Sequence, residues 1–345
     1  MTSIRYGIGR ALAGRRNDHL LRSRPPSLLC AQLIPVRTIV SNRDPFRQRN
    51  SYHRQQQQRQ SQQPIWQTRG FWYCAGAAGT AGTVYYELHV EESPTGRRRF
   101  INVSPEYERQ IGQQAYLQTL AQYRGRIVAP GSTSMDRDVR RVAKRVIAAT
   151  GMDKEDWQVH VIYAPEEKNA FVLPGGKIFV FSGLLSLTKD DDGLATVLAH
   201  EIAHQYARHS AEKLSQASLL SFIYIVASLF IDPSYLQLGS AMSTLLLELP
   251  NSRQCEMEAD QLGLYFMASA CYDPAQAVAL WQRMRAAETV APPQFLNTHP
   301  STDSRIESIR DWVPQAEMKR EAANCPTREL TQSFFSSLGS PDKVF

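Results

Sequence analysis

His200, Glu201 and His204, set in the run Val197-Leu-Ala-His-Glu-Ile-Ala-His204, are the residues of this chain whose types and spacing point most directly to chemistry. At about 3.6 residues per turn, histidines four apart stand one above the other on a helical face, where two imidazoles can grip one metal ion. Glu201 stands beside them, within reach of a water on that metal. Neutral imidazole suits Zn²⁺, and an open coordination position brings the pKa of the water down to about 7. The expectation is therefore hydrolysis with one Zn²⁺ per chain and Glu201 as general base. A pattern with three fixed positions also arises by chance on a polar helix, so it asks for a third ligand.

An extended His-Glu-x-x-His-x-x-Gly-x-x-His arrangement would need Gly at 207 and His at 210, but the chain has Ala207 and Ser210. His209 follows His204 by five residues, a turn of about 140° on an ideal helix, and reads as a surface histidine. Ser252-Arg-Gln-Cys-Glu-Met-Glu-Ala-Asp260 offers more. Glu256 and Asp260 are four apart on a predicted helix, so one carboxylate can bind metal while the other accepts the second ring N–H of a ligand histidine. Glu258 points elsewhere on that helix.

The elements that must position these groups follow from local pattern. Asp190, Asp191 and Asp192 complement the N-terminal dipole of the motif helix, which is expected to run to about Lys213 with the motif at its middle. Ahead of it a small sheet is predicted. Val159, Val161 and Tyr163 alternate as a half-buried strand, and Phe171-Val-Leu and Lys177-Ile-Phe-Val-Phe flank Pro174-Gly175-Gly176 as a hairpin. Earlier still, Ser104-Pro-Glu-Tyr-Glu opens a helix with a capping serine, and Val139, Val142, Val146 and Ile147 mark a second over Asp136 to Ala149, ended by Gly151.

Charge divides the 345-residue chain unevenly. Residues 1–69 hold 13 Arg, no Lys and only Asp18 and Asp44, whereas the remainder holds 26 basic and 31 acidic residues, a net of −5. An Arg-rich, Ser-containing arm almost free of acid has the composition of a mitochondrial transit peptide, expected over residues 1–50 and removed. Nucleic-acid binding is not indicated, since Lys is absent there and no recognition fold follows. Residues 51–69, rich in Gln and Arg, are expected to form a disordered linker. Residues 70–86 carry no charge and would span about 25 Å as a helix, so they read as a short transmembrane helix whose small residues favour self-association. The uncharged run Ala217 to Ile231 is shorter and reads as a core helix or one dipping into the membrane. A metallopeptidase domain is expected over 87–325 and a tail over 326–345. A disulfide among Cys255, Cys271 and Cys325 is possible, and spacing does not choose the pair.

His-Glu-x-x-His followed by Ser252-Arg-x-x-Glu-x-x-Ala-Asp260 resembles the membrane-associated gluzincins of the HtpX and CaaX-prenyl-protease type. Thr95-Gly-Arg97, Asn169-Ala-Phe-Val-Leu-Pro-Gly-Gly-Lys177 and Thr298-His-Pro-Ser-Thr-Asp-Ser-Arg305 extend the resemblance, over roughly residues 87–315. It implies an α+β fold: a mainly helical, zincin-like (minigluzincin) domain whose small sheet has Lys177–Ser182 as the edge strand that holds a peptide by strand addition. It also implies His200, His204 and Glu256 as zinc ligands, Glu201 as general base and acid, and Asp260 supporting a ligand histidine. His299 would face the site, either stabilising the oxyanion or filling the open zinc position at rest.

The arm and the span match mitochondrial inner-membrane members of that family. The resemblance thus implies quality control and stress-responsive processing of inner-membrane protein substrates, with a catalytic domain facing the intermembrane space; membrane lipid and a homo-oligomer are expected from the uncharged, small-residue segment 70–86, and no nucleic-acid partner is expected. An inactive, zinc-containing scaffold or binding protein is the alternative; the intact Glu201 argues against it, because a structural site has no use for a base beside an open position. A prenyl-peptide protease would need more membrane spans than this sequence offers.

Overall fold

Every residue from Gly193 to His204 on the motif helix is buried, so the rest of the domain is arranged around that helix. The computed structural model describes residues 67–228, 252–288, 293–300 and 302–325. The transit-like arm, most of the linker and the tail lie outside the described residues. The chain divides into two units, Met1–Tyr73 and Cys74–Phe345; of the first, only the residues entering and beginning helix α1 are described, and the second carries the site.

In chain order the elements are α1 (Arg69–Leu88), β1 (Val90–Glu92), β2 (Arg98–Phe100), α2 (Pro105–Gln122), α3 (Ser134–Thr150), β3 (Gln158–Ile162), β4 (Ala170–Leu173) and β5 (Lys177–Phe181). They continue with α4 (Leu185–Thr188), α5 (Asp191–Tyr206), α6 (His209–Ser228), α7 (Arg253–Ser269), α8 (Ala275–Glu288), α9 (Gln294–Thr298) and α10 (Asp303–Ala322). Local signals set several boundaries, those at Ser104 and Gly151 as expected. The Ser104 hydroxyl accepts from the Tyr107 N–H at the start of α2, Thr133 and Asp190 do the same for α3 and α5, and Gly151 ends α3 in the left-handed region at φ 73°. Pro174-Gly175-Gly176 is the hairpin turn, with both glycines at positive φ, where a Cβ would be strained.

The three-stranded sheet has the order β3-β5-β4, with β5 parallel to β3 and antiparallel to β4. This corrects the expected edge: Lys177–Phe181 is the central strand and is buried along its whole length, while β4 is the edge beside the motif helix. The parallel β3–β5 pairing covers the other side of β5, and pattern within the hairpin alone does not reveal it. One face of the sheet, with α3, α5, α7, α8 and α10, encloses the main core, in which Val142, Val180, Leu198, Met267, Leu280 and Ile309 are fully or almost fully buried.

Three further expectations need correction. The motif helix ends at Tyr206 rather than near Lys213, and His200 to His204 therefore occupy its C-terminal half. Helix α1 does cover the segment read as a transmembrane helix, and none of its residues is buried, yet among the described residues no helix is long and apolar enough to cross a membrane. Its glycines, alanines and threonines are too weakly apolar, and Arg69 and Glu87 lie within its bounds. The described part of the 217–231 run lies on α6, where Leu220, Phe222, Ile223 and Ile225 are exposed, so it is not a core helix.

Candidate active site

Helix α5 contributes His200, Glu201 and His204, α7 contributes Glu256 and Asp260, and the residue that ends α9 is His299; all six side chains are buried. Close packing of α5 on α7 brings the two sequence motifs together. It depends on Gly263, where a Cβ would come within 2.9 Å of the His200 backbone nitrogen and 3.0 Å of the Ala199 carbonyl carbon.

Four of these side chains converge on one point. His200 Nε2 lies 3.2 Å from His204 Nε2 and 3.2 Å from His299 Nδ1. The Glu256 carboxylate lies 3.5 Å from each of the first two nitrogens and 3.1 Å from His299 Nδ1. Donor atoms arranged tetrahedrally at about 2.0–2.1 Å from a zinc ion would stand about 3.3–3.4 Å apart. The donor set therefore fits a small tetrahedral cation, with two or three imidazoles and one carboxylate as its donors. His299 stands at the fourth vertex, and its other nitrogen, Nε2, is 3.2 Å from Glu201 Oε1.

Around this set, polar contacts fix orientation. His200 Nδ1 is 3.0 Å from Asp260 Oδ1. Arg305 grips Asp260 through two bonds, Nε to Oδ2 at 2.7 Å and Nη2 to Oδ1 at 2.9 Å, and also lies 3.1 Å from Glu256. Its guanidinium stacks over the Trp281 ring at 4.3 Å. The backbone N–H of Val172 on β4 donates to Glu201 Oε2 at 3.3 Å.

The electrostatics divide the carboxylates by role. Burial raises the pKa of Glu201, and the nearby His299 and His200 only partly offset it. Burial alone would also raise Glu256 and Asp260, but Glu256 is carried well below the usual carboxylate range by His299, His200 and His204, and Asp260 is lowered by Arg305 and His200. One carboxyl is thus suited to exchanging a proton, and two are suited to remaining anionic beside a cation.

Sequence reasoning singles out all six of these residues, which the structure brings together, and leaves open what His299 does there. It misreads His209, which is buried: its Nδ1 is 2.8 Å from His204 Nδ1. The helix breaks at Arg208, which takes φ 54° while its guanidinium reaches Glu108 and the Val103 carbonyl. Arg99 meanwhile donates to the Ala207 carbonyl. The break cancels the rotation of about 140° that an unbroken helix would impose. Arg305 is the other residue whose role is missed, although it closes the Thr298–Arg305 stretch.

A model of peptidase family M48 matches residues 133–313, more than half of the chain and inclusive of every residue converging on the site. The chain belongs to peptidase family M48. This M48 peptidase is 44% identical over 277 residues to the mitochondrial metalloendopeptidase OMA1 of Schizosaccharomyces pombe, covering 79% of the chain and 81% of the relative. It is 35% identical over 272 residues to the mitochondrial metalloendopeptidase OMA1 of Saccharomyces cerevisiae, covering 74% and 78%. With the mitochondrial metalloendopeptidase OMA1 of Bos taurus it shares 34% identity over 271 residues, 72% of the chain and 50% of that longer relative. The M48 peptidase is accordingly a metalloendopeptidase, a metal-dependent hydrolase of peptide bonds.

Proposed function

We propose that the chain is a zinc endopeptidase of the mitochondrial inner membrane that cleaves membrane proteins in quality control and stress-responsive processing, with His200, His204 and Glu256 as metal ligands and Glu201 as general base and acid. The observation that carries this reading is the tetrahedral spacing of the buried donors, 3.1–3.5 Å, with the proton-exchanging carboxyl of Glu201 directly beside them. A divalent zinc held there would supply Lewis acidity toward a scissile carbonyl and make a water more acidic.

The chain's own residues do the rest. Glu201 takes a proton from the attacking water and returns it to the departing amine, so one water and one peptide bond become a carboxylic acid and an amine. Asp260 holds the His200 ring from behind and is itself fixed by Arg305. His299 would supply a further donor to the metal at rest, and its Nε2 contact with Glu201 keeps it next to the reacting groups. The free edge of β4 receives the substrate as an added strand, which places the scissile bond alongside α5.

Location rests on the relatives, which are named mitochondrial, and on the Arg-rich arm, read as a removable transit peptide. The exposed Leu220, Phe222, Ile223 and Ile225 of α6 and the exposed aromatics of α1 provide apolar surface for contact with lipid. The catalytic domain then faces the intermembrane space, and the small-residue face of α1 serves self-association.

The test is Glu201→Gln in mitochondria. The variant should retain its zinc, measured by elemental mass spectrometry, while the new protein N-termini generated by the intact chain disappear. Identical N-termini from both chains would refute the mechanism and leave an inactive zinc-containing scaffold as the better reading.

A further inference from the structure

Behind His204 lies a second layer of buried polar groups that the proposed mechanism does not use. The His209 Nδ1 that meets His204 Nδ1 at 2.8 Å belongs to a ring whose Nε2 is 3.2 Å from Glu258 Oε2. Glu258 also accepts from the Thr95 hydroxyl at 2.9 Å and from Arg97 Nη2 at 2.9 Å and Nε at 3.2 Å. Arg97 in turn makes two bonds of 2.7 Å to Glu212. His209, Glu212 and Glu258 are all buried, and Arg97 comes from the turn between β1 and β2, more than 100 residues away in sequence.

Two ring nitrogens 2.8 Å apart must share one proton. His204 directs Nε2 at His200 and Glu256, so as a metal ligand it keeps its proton on Nδ1 and donates it to His209 Nδ1. His209 is then left with its own proton on Nε2, aimed at Glu258. The Arg97 guanidinium keeps Glu258 an acceptor, and the direction of the whole chain follows from that one fixed charge. His209, Glu212 and the Cys255 thiol are also close enough to share a cation. Arg97 already lies against both Glu212 and Cys255, however, so the positive charge of that cluster is supplied by the protein itself.

We propose that His209, held by Glu258 and Arg97, is a positioning residue for His204: it accepts the Nδ1 proton and so fixes the tautomer and ring plane that present Nε2 to the metal. The hairpin β1–β2 thereby becomes part of the metal site. This rests on the reading of His200, His204 and Glu256 as ligands, and the test separates the two.

The experiment measures zinc affinity of the full chain by competition with a chromophoric chelator, together with the visible absorption of the Co²⁺-substituted protein. Wild type is compared with His204→Ala, His209→Leu, His209→Asn and Arg97→Met, and far-UV circular dichroism of each metal-free protein reports folding. His209→Leu should weaken zinc about 10- to 100-fold and alter the Co²⁺ spectrum, as loss of a partner behind a ligand does. Asn can place an amide oxygen close to the position of Nδ1, so His209→Asn should recover most of the affinity, and Arg97→Met should lose part of it. Equal affinities for wild type and His209→Leu would overturn the proposal, as would equal losses in the Leu and Asn variants, which would mark His209 as packing alone. Zinc uptake indifferent to His204→Ala would instead refute the ligand assignment, and the role of His209 would fall with it.

Discussion

Val172 and Glu201 are joined by a hydrogen bond of 3.3 Å from the backbone N–H of the edge strand to the carboxylate of the candidate base. The Phe181 N–H donates to the Asn169 carbonyl, and the register pairs Phe171 with Phe179, so residues 169, 171 and 173 turn their backbone groups toward β5 while Val172 turns its own outward. The strand edge and the base thus occupy the same narrow space. A peptide adding to β4 would compete for the Val172 N–H and release Glu201. Proline at 172 would remove that donor without costing a ladder bond, as edge strands permit. Val172→Pro should therefore keep its fold and zinc content but lose most peptide cleavage, measured with a quenched fluorescent peptide; undiminished turnover would dissociate the β4 edge from substrate binding.

Gly263 is where α7 touches the backbone of His200, and the atoms that a Cβ would meet belong to the main chain, which cannot rotate away. Gly263→Ala should force α5 and α7 apart and separate the His200–Glu256 donors. A loss of about 1–3 kcal/mol is expected from overpacking of this kind. Thermal unfolding should show the loss in the metal-free protein, and zinc affinity should fall with it.

Arg305 is buried, pairs with Asp260 through two bonds and reaches Glu256 as well. Removing it would leave two buried carboxylates without their cation. Arg305→Leu should cost about 3–5 kcal/mol, the usual result of breaking one side of a buried pair. Arg305→Lys restores charge but not the planar fork, and should recover only part of it. Denaturant titration of the three proteins would measure both differences.

What is legible in the sequence here is what short-range spacing determines. His200, Glu201 and His204 share a turn, Glu256 and Asp260 share a later helix, α7, and the Gly175–Gly176 turn sets its own hairpin. The centrality of β5 is not legible, because its parallel partner β3 is joined to it only by a longer connection that includes β4. His209 is hidden for a different reason: contacts from Arg99, Glu108 and Val103, about 100 residues upstream, stabilise the break at Arg208. The apolar stretch of α6 shows a third limit, since a run of that length has the same composition whether it faces a core, a lipid layer or solvent.

Lys177 begins the buried central strand, and its ammonium reaches the exposed Asp156 at 2.6 Å and the Asp156 carbonyl at 2.7 Å. The hydrogen bond and charge of Lys177 hold the Asp156 carboxyl below its ordinary value of 3.8. A carboxylate whose pKa is depressed by folding contributes stability above its unfolded pKa and loses it as pH falls through the folded value. In Lys177→Met most of the depression should vanish, leaving the smaller part that the Gln158 amide supplies, and Asp156 should titrate closer to its ordinary value by NMR. Whatever the stability difference between the two proteins at neutral pH, it should stay constant down to about pH 4 and then shift against the wild type as Asp156 takes up its proton. An Asp156 titration unchanged by the substitution would show that Lys177 is not the group holding that carboxyl down.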